Sequence, residues 1–125
     1  MGKKILVVDD DDSVRKSIAV ALKLKGGFET LEAEDGLIGL ELAKQHHPDL
    51  IISDVVMENF NGFRMLETLR EFQETADIPI IMMTIKAQAD KEWKTGGAVE
   101  YLSKGFTLEE LLEKVNSTLK NKPLS

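Results

Sequence analysis

The chain has 125 residues, with 16 Lys or Arg against 22 Asp or Glu, which gives a formal net charge of −6 at pH 7. This length predicts one globular domain that buries about two-thirds of the surface its unfolded chain would expose. The absence of cysteine excludes disulfides, cysteine zinc sites and cysteine nucleophiles, and it is compatible with a reducing compartment. An acidic chain is a poor general binder of nucleic acid, and the apolar run at residues 5–8 is too short for a signal peptide or a membrane span. We therefore expect a cytoplasmic protein that binds neither nucleic acid directly nor a membrane.

The first apolar run, residues 5–8, predicts a strand followed by a helix. We expect Asp12 or Ser13 to cap the start of this helix and Gly26-Gly27 to stop it. Its inner face would carry four apolar side chains, those of Val14, Ile18, Ala21 and Leu22.

A weaker alternating run at residues 28–33 predicts the second strand. The second helix would begin near Asp35 and end before Pro48, with Ile38 and Leu42 pointing inward. The third strand is predicted at residues 50–52, and the third helix after Gly62, with Phe63, Leu66 and Leu69 on its inner face.

The last third of the chain continues the same alternation. Strands are predicted at residues 78–83 and 99–102, separated by a stretch at 86–97 whose weak periodicity suggests a short helix. The final helix has the clearest start, since Thr107 and Glu110 form a capping-box pattern.

Five strand–helix repeats with almost continuously apolar strands predict an α/β fold, a doubly wound parallel sheet with about five helices on its two faces. We expect one domain over residues 1–120, with residues 121–125 as a tail or the stub of a linker.

Polar residues follow the strands at their carboxyl ends, where open α/β sheets bind ligands. The first strand is followed by Asp9-Asp10-Asp11-Asp12, the third ends at Asp54, the fourth at Thr84 and the fifth at Ser103-Lys104. Neighbouring carboxylates repel one another unless a cation joins them, and oxygen ligands without Cys or His favour Mg²⁺. The metal would let a phosphoryl group approach Asp54, while Thr84 and Lys104 bind its other oxygens.

Five blocks of sequence in this order resemble the receiver domain of bacterial two-component response regulators, over about residues 3–119. The blocks are Ile5-Leu6-Val7-Val8-Asp9-Asp10, Pro48-Asp49-Leu50-Ile51-Ile52-Ser53-Asp54, Asn61-Gly62, Pro79-Ile80-Ile81-Met82-Met83-Thr84 and Tyr101-Leu102-Ser103-Lys104. The resemblance implies a flavodoxin-like fold with strand order 2-1-3-4-5.

The resemblance also implies a role for each matching residue. Asp54 would be the phosphoacceptor, and Asp9 and Asp10 would bind Mg²⁺ together with Asp54 and the main-chain carbonyl of Val56. Thr84 would turn its hydroxyl toward the phosphoryl group, Lys104 would pair with it, and Tyr101 would swing inward as Thr84 moves.

The implied partner is a histidine kinase or histidine phosphotransfer protein, which supplies the phosphoryl group. Phosphorylation would switch a partner-binding surface formed by the fourth and fifth strands and the helices that follow them. The protein would assist its own phosphorylation and dephosphorylation but would not be an enzyme that turns over a separate substrate. The sequence does not identify its downstream partner or output domain.

Departures from the family pattern support an alternative, a phosphorylation-independent interaction module on the same fold. Glu58 stands where the family commonly has proline, Ile85 where a small residue is usual, and Gly105 where proline usually follows the lysine; the interval between Thr84 and Lys104 is also short. A phosphohydrolase of the haloacid dehalogenase type is a third hypothesis. It is disfavoured because Val56 stands where that family has a second acid.

Overall fold

The structure, a computed structural model, describes residues 2–55, 62–84, 99–103 and 105–120, with Thr84 and Val99 described by their backbone alone. Within these ranges the elements are, in chain order, β1 (Lys4–Val8), α1 (Asp12–Gly26), β2 (Glu29–Ala33), α2 (Gly36–His46), β3 (Leu50–Asp54), α3 (Gly62–Glu71), β4 (Ile80–Thr84), β5 (Val99–Ser103) and α4 (Leu108–Lys120).

The five strands form one sheet in the order β2-β1-β3-β4-β5, and each neighbouring pair is parallel. The predicted doubly wound fold and its strand order are confirmed. Four helices lie within the described ranges, and the helix predicted at residues 86–97 lies outside them. No helix among the described residues has the length and apolar character needed to cross a bilayer.

Both faces of the sheet are covered, as the continuous apolar strands predicted. In β1, Ile5 and Val7 pack in a cluster with residues of α1 and α4, whereas Leu6 and Val8 pack in a second cluster with residues of α2 and α3. All four side chains are fully buried, and each such burial stabilises the fold by about 1.5–3 kcal/mol relative to exposure.

Helix α1 differs from its prediction in its cap and in its buried face. Asp11, not Asp12 or Ser13, is the N-cap, while the expected stop is present because Gly27 adopts φ 71°. Val14, predicted to point inward, is 38% exposed. Ile18 and Leu22 are buried as predicted, Ala21 is only partly buried, and Arg15 and Ala19 complete the buried face.

Helix α2 packs through small residues. The helix begins after its N-cap Asp35, close to the predicted start, but Ile38 is 37% exposed and Leu42 is only partly buried. The buried positions are Gly36, Gly39 and Ala43. Gly39 lies close to the sheet, because a Cβ there would be 3.0 Å from Val8 Cγ2. Glycine carries no hydrophobic signal, so the sequence did not indicate this packing face.

Helix α4 begins as the capping box predicts. The Thr107 N–H donates to Glu110 Oε1 at 2.8 Å, and the Glu110 N–H donates to Thr107 Oγ1 at 3.1 Å. In α3 the predicted inner residues Leu66 and Leu69 are buried, and Phe63 packs at the edge of the core. Helix α3 therefore packs as its apolar periodicity indicates.

Candidate functional site

Strands β1 and β3 bring the acidic residues together at the carboxyl edge of the sheet. Val8 is in register with Ser53, so the residues that follow, Asp9 and Asp54, lie side by side. Carboxylate oxygens of Asp9, Asp10 and Asp54 lie within 4.8 Å of one another. Asp9 and Asp54 are 1% and 5% exposed, and Asp10 is exposed. The structure thus unites the three predicted carboxylates.

The loop after β1 is held by hydrogen bonds from its own backbone. The Asp9 N–H donates to the carbonyl of Ala33 at 3.1 Å, and the Asp11 N–H donates to Asp9 Oδ1 at 2.9 Å. Asp11 Oδ1 in turn accepts from the N–H groups of Ser13 and Val14 at 2.9 and 3.1 Å. The carboxylate of Asp9 is therefore tied to the start of α1.

Arg15 lies on the buried face of α1 and forms a hydrogen bond with this loop. The sequence did not predict this contact. Its Nη1 donates to the carbonyl of Asp9 at 2.9 Å, its Nε to Glu32 Oε1 at 3.0 Å and its Nη2 to Asp12 Oδ1 at 2.6 Å. Burial lowers the pKa of Arg15, but the hydrogen bonds and negative charges of Asp12 and Glu32 outweigh it and raise the pKa above its ordinary value. The available signal was its helical spacing from Ile18 and Leu22, which places Arg15 on the buried face.

Helix α3 begins directly against the end of β3. A Cβ on Gly62 would lie 2.6 Å from the carbonyl oxygen of Asp54 and 3.2 Å from Val55 Cα. The Gly62 N–H donates to the carbonyl of Val55 at 2.9 Å, and Ser53 Oγ donates to the carbonyl of Asp54 at 2.9 Å. Glycine is needed here because any side chain would push the helix away from Asp54.

The remaining predicted site residues are placed only in part. Thr84 is the last residue of β4, one position beyond Met83, which is in register with Asp54; its side chain is outside the description. Val56 and Lys104 lie outside the described residues, as do Glu58 and Ile85.

Tyr101, the predicted switch residue, lies in β5 and packs, partly buried, against the core cluster on the α2 and α3 side of the sheet. Burial raises the pKa of its phenol. The structure places this side chain but does not show it moving.

The carboxylates open into a cleft of about 390 Å³ that also has an apolar wall of Val14, Met83 and Phe106. A set of three carboxylates, without Cys or His, fits a hard divalent cation that keeps some of its water. The donor chemistry therefore agrees with the predicted Mg²⁺.

Comparison with known proteins shows which protein family this chain matches. The family model described as response regulator receiver domain matches residues 5–116. Protein PilH of Pseudomonas aeruginosa is 40% identical over 118 residues, which cover 93% of this chain and 97% of PilH. The structure of the chemotaxis protein CheY4 of Vibrio cholerae superposes with a TM-score of 0.86 at 32% identity, covering 94% of this chain and 99% of CheY4.

The match extends to receivers that are parts of larger proteins. The chain spans 49% and 53% of the length of two longer curated relatives. The receiver domain of the sensor histidine kinase PA1611 from P. aeruginosa, solved with a magnesium ion coordinated in its active-site cleft, shares the fold with a TM-score of 0.86 at 22% identity, covering 97% of this chain and all of that domain. The family match covers most of the chain and includes Asp9, Asp10 and Asp54, and the chain therefore belongs to the response regulator receiver domain family.

Proposed function

We propose that Asp54 accepts a phosphoryl group from a histidine kinase or histidine phosphotransfer protein in a Mg²⁺-dependent reaction, and that phosphorylation switches a partner-binding surface. The observation that carries this proposal is the convergence of three carboxylates, two of them almost fully buried, at the carboxyl edge of the sheet. The proposed location is the cytoplasm, and residues 1–120 form the proposed functional unit.

Electrostatics explain why this arrangement calls for a cation. Two carboxylates 4 Å apart repel by about 4 kcal/mol at an effective dielectric constant near 20. A fold gains nothing from placing Asp9 and Asp54 together in this way unless a positive charge offsets the repulsion. Asp9, Asp10 and Asp54, with the proposed contribution of the Val56 carbonyl, would hold Mg²⁺. When bound, the ion would neutralise enough charge for an anionic phosphoryl group to approach.

The proposed transfer is a substitution at phosphorus. A carboxylate oxygen of Asp54 forms the new P–O bond, the P–N bond of the donor phosphohistidine breaks, and the imidazole leaves with the bonding electron pair. In this proposal Thr84 and Lys104 bind the other phosphoryl oxygens, and hydrolysis of the resulting acyl phosphate returns the domain to its starting state. The protein is thus proposed to be a switch and not an enzyme that turns over a separate substrate.

Binding of beryllofluoride, which mimics a phosphoryl group on a carboxylate, tests the proposal. We expect ¹⁹F NMR to show a bound resonance for the wild type only when Mg²⁺ is present, and none for Asp54→Asn. Asp49→Asn is the matched control, because it removes the same charge just before the same strand, about 17 Å away; the asparagine keeps an oxygen that can accept from the Lys4 N–H.

A bound resonance in Asp49→Asn but not in Asp54→Asn would support Asp54 as the acceptor. Absence of any bound resonance in the folded wild type with Mg²⁺ would contradict the proposal. That result would favour the phosphorylation-independent interaction module, whose affinity for its partner would be unchanged in Asp54→Asn.

A further inference from the structure

Arg15 is a buried cation next to the cluster of carboxylates that is proposed to bind Mg²⁺. Its side chain is 6% exposed, and its three donor nitrogens each contact a different acceptor: the carbonyl of Asp9, the carboxylate of Asp12 and the carboxylate of Glu32. The contact to Asp9 is made to the main chain and not to its carboxylate, which lies within 4.8 Å of carboxylate oxygens of Asp10 and Asp54.

Arg15 is the one charged residue among the buried positions of α1. A buried ion pair is weak evidence for a role in stability, because whole pairs can often be replaced by apolar side chains of similar volume. Neighbours of Arg15 on the buried face of α1, such as Ile18 and Leu22, are apolar. Arginine differs from an apolar residue here in one respect, since it joins three separate segments: the end of β1, the first turn of α1 and strand β2.

We propose that Arg15 is a positioning residue of the metal site, whose guanidinium holds the main chain of Asp9 so that its carboxylate meets those of Asp10 and Asp54. This inference rests on the proposed function, because it concerns the affinity of the same acidic cluster for a divalent cation. Two hydrogen bonds hold Asp9 in its orientation. The Asp11 N–H donates to Asp9 Oδ1, and Arg15 Nη1 donates to the Asp9 carbonyl.

The positioning role and a purely electrostatic role predict opposite results. If Arg15 acted only through its charge, its removal would make the site more negative and the metal would bind more tightly. If Arg15 holds Asp9 in place, its loss releases the ligand and the metal binds more weakly, although a repelling charge has been removed. Lysine keeps the charge but cannot reproduce the three-way contact of a planar guanidinium.

The experiment measures Mn²⁺ affinity by EPR of the free ion, with Mn²⁺ as the probe because carboxylate sites that suit Mg²⁺ also bind it. The proteins are the wild type, Arg15→Lys, Arg15→Met, Glu32→Gln and Asp54→Asn, each checked for folding by circular dichroism. We expect both Arg15 variants to bind Mn²⁺ about tenfold more weakly, and Glu32→Gln to stay within about twofold of the wild type because the contact of Arg15 with Asp9 remains.

An NMR measurement adds a second readout. The Asp11 amide donates to Asp9 Oδ1, so its resonance should move in Arg15→Lys and keep its place in Glu32→Gln. If Arg15→Met does not fold, Arg15→Lys decides the question alone, because it preserves the charge and changes only the geometry.

The outcomes separate this inference from the proposed function. Equal affinity in the wild type and Arg15→Lys, with tighter binding in Arg15→Met, would overturn the positioning role and leave the metal site intact. A wild type that does not bind Mn²⁺, or that binds it no better than Asp54→Asn, would overturn both.

Discussion

The three acidic residues of the site differ in how firmly the structure holds them. Asp9 is tied through its carbonyl to Arg15 and through Oδ1 to the backbone of Asp11. The backbone of Asp54 is fixed by the sheet and by the hydroxyl of Ser53. Asp10 is exposed to solvent. A cation that binds here would thus meet one carboxylate held by a hydrogen bond, that of Asp9, one on a backbone fixed by the sheet, that of Asp54, and one exposed to solvent, that of Asp10.

Tyr101 provides a spectroscopic prediction because it is the single tyrosine of the chain. Burial raises the pKa of its phenol above the ordinary value of 10.0, because the charged tyrosinate loses water contacts in the fold. Its contribution to stability should be complete below about pH 10 and should fall as pH rises through the native pKa. Ultraviolet absorbance of tyrosinate should show a higher midpoint in the native protein than in denaturant. Equal midpoints would contradict the burial of this side chain.

Helix α1 provides a test at the level of an element, because its cap is Asp11 and not the residues that the sequence favoured. Replacement of Asp11 by Ala removes the acceptor of two backbone N–H groups and should lower the free energy of unfolding by about 1 kcal/mol. Ser13→Ala is the matched control and should have little effect. Denaturant unfolding of both variants checks this, and a larger loss in Ser13→Ala would place the cap where the sequence suggested.

The contact between α3 and β3 can be tested with two glycines. Gly62→Ala would force a Cβ to 2.6 Å from the backbone of Asp54, whereas Gly39→Ala would meet side-chain atoms of Val8 and Met65 at 3.0 Å, a less severe contact and one that involves no backbone atom. We expect Gly62→Ala to lose roughly 1–3 kcal/mol of unfolding free energy and Gly39→Ala to lose less. Thermal unfolding measures the difference, and the reverse order would contradict the close packing at Asp54.

Features that depend on residues close together in the sequence could be predicted, and features that depend on distant contacts could not. The capping box of α4 depends on Thr107 and Glu110 alone, so its hydrogen bonds were predictable, and the apolar strands identified the sheet. The predicted inner faces of α1 and α2 were partly wrong. In α1, Arg15 is buried and pairs with Glu32, which is distant in sequence; α2 packs through glycines. The acidic cluster was predictable because its residues follow the ends of neighbouring strands. The contact of Arg15 with Asp9 could be seen only in the three-dimensional structure.

The whole molecule combines a sheet buried on both faces with a charged edge, so metal binding should affect its stability as a unit. At Mg²⁺ concentrations ten times the dissociation constant, binding should stabilise the fold by about 1.4 kcal/mol, which raises Tm by roughly 4–8 °C.

The same measurement on Asp10→Asn separates repulsion from binding. Without metal, this variant should have a higher Tm than the wild type because one repelling charge is gone, and its increase with Mg²⁺ should be smaller. A wild type whose Tm is the same in Mg²⁺ and in EDTA would contradict the metal site.

Phosphorylation of Asp54 can be measured by intact mass after incubation with acetyl phosphate. We expect one added phosphoryl group on the wild type and on Asp49→Asn in the presence of Mg²⁺, and none on Asp54→Asn or when EDTA removes the metal. An unmodified wild type in Mg²⁺, or equal modification of Asp54→Asn, would contradict this expectation.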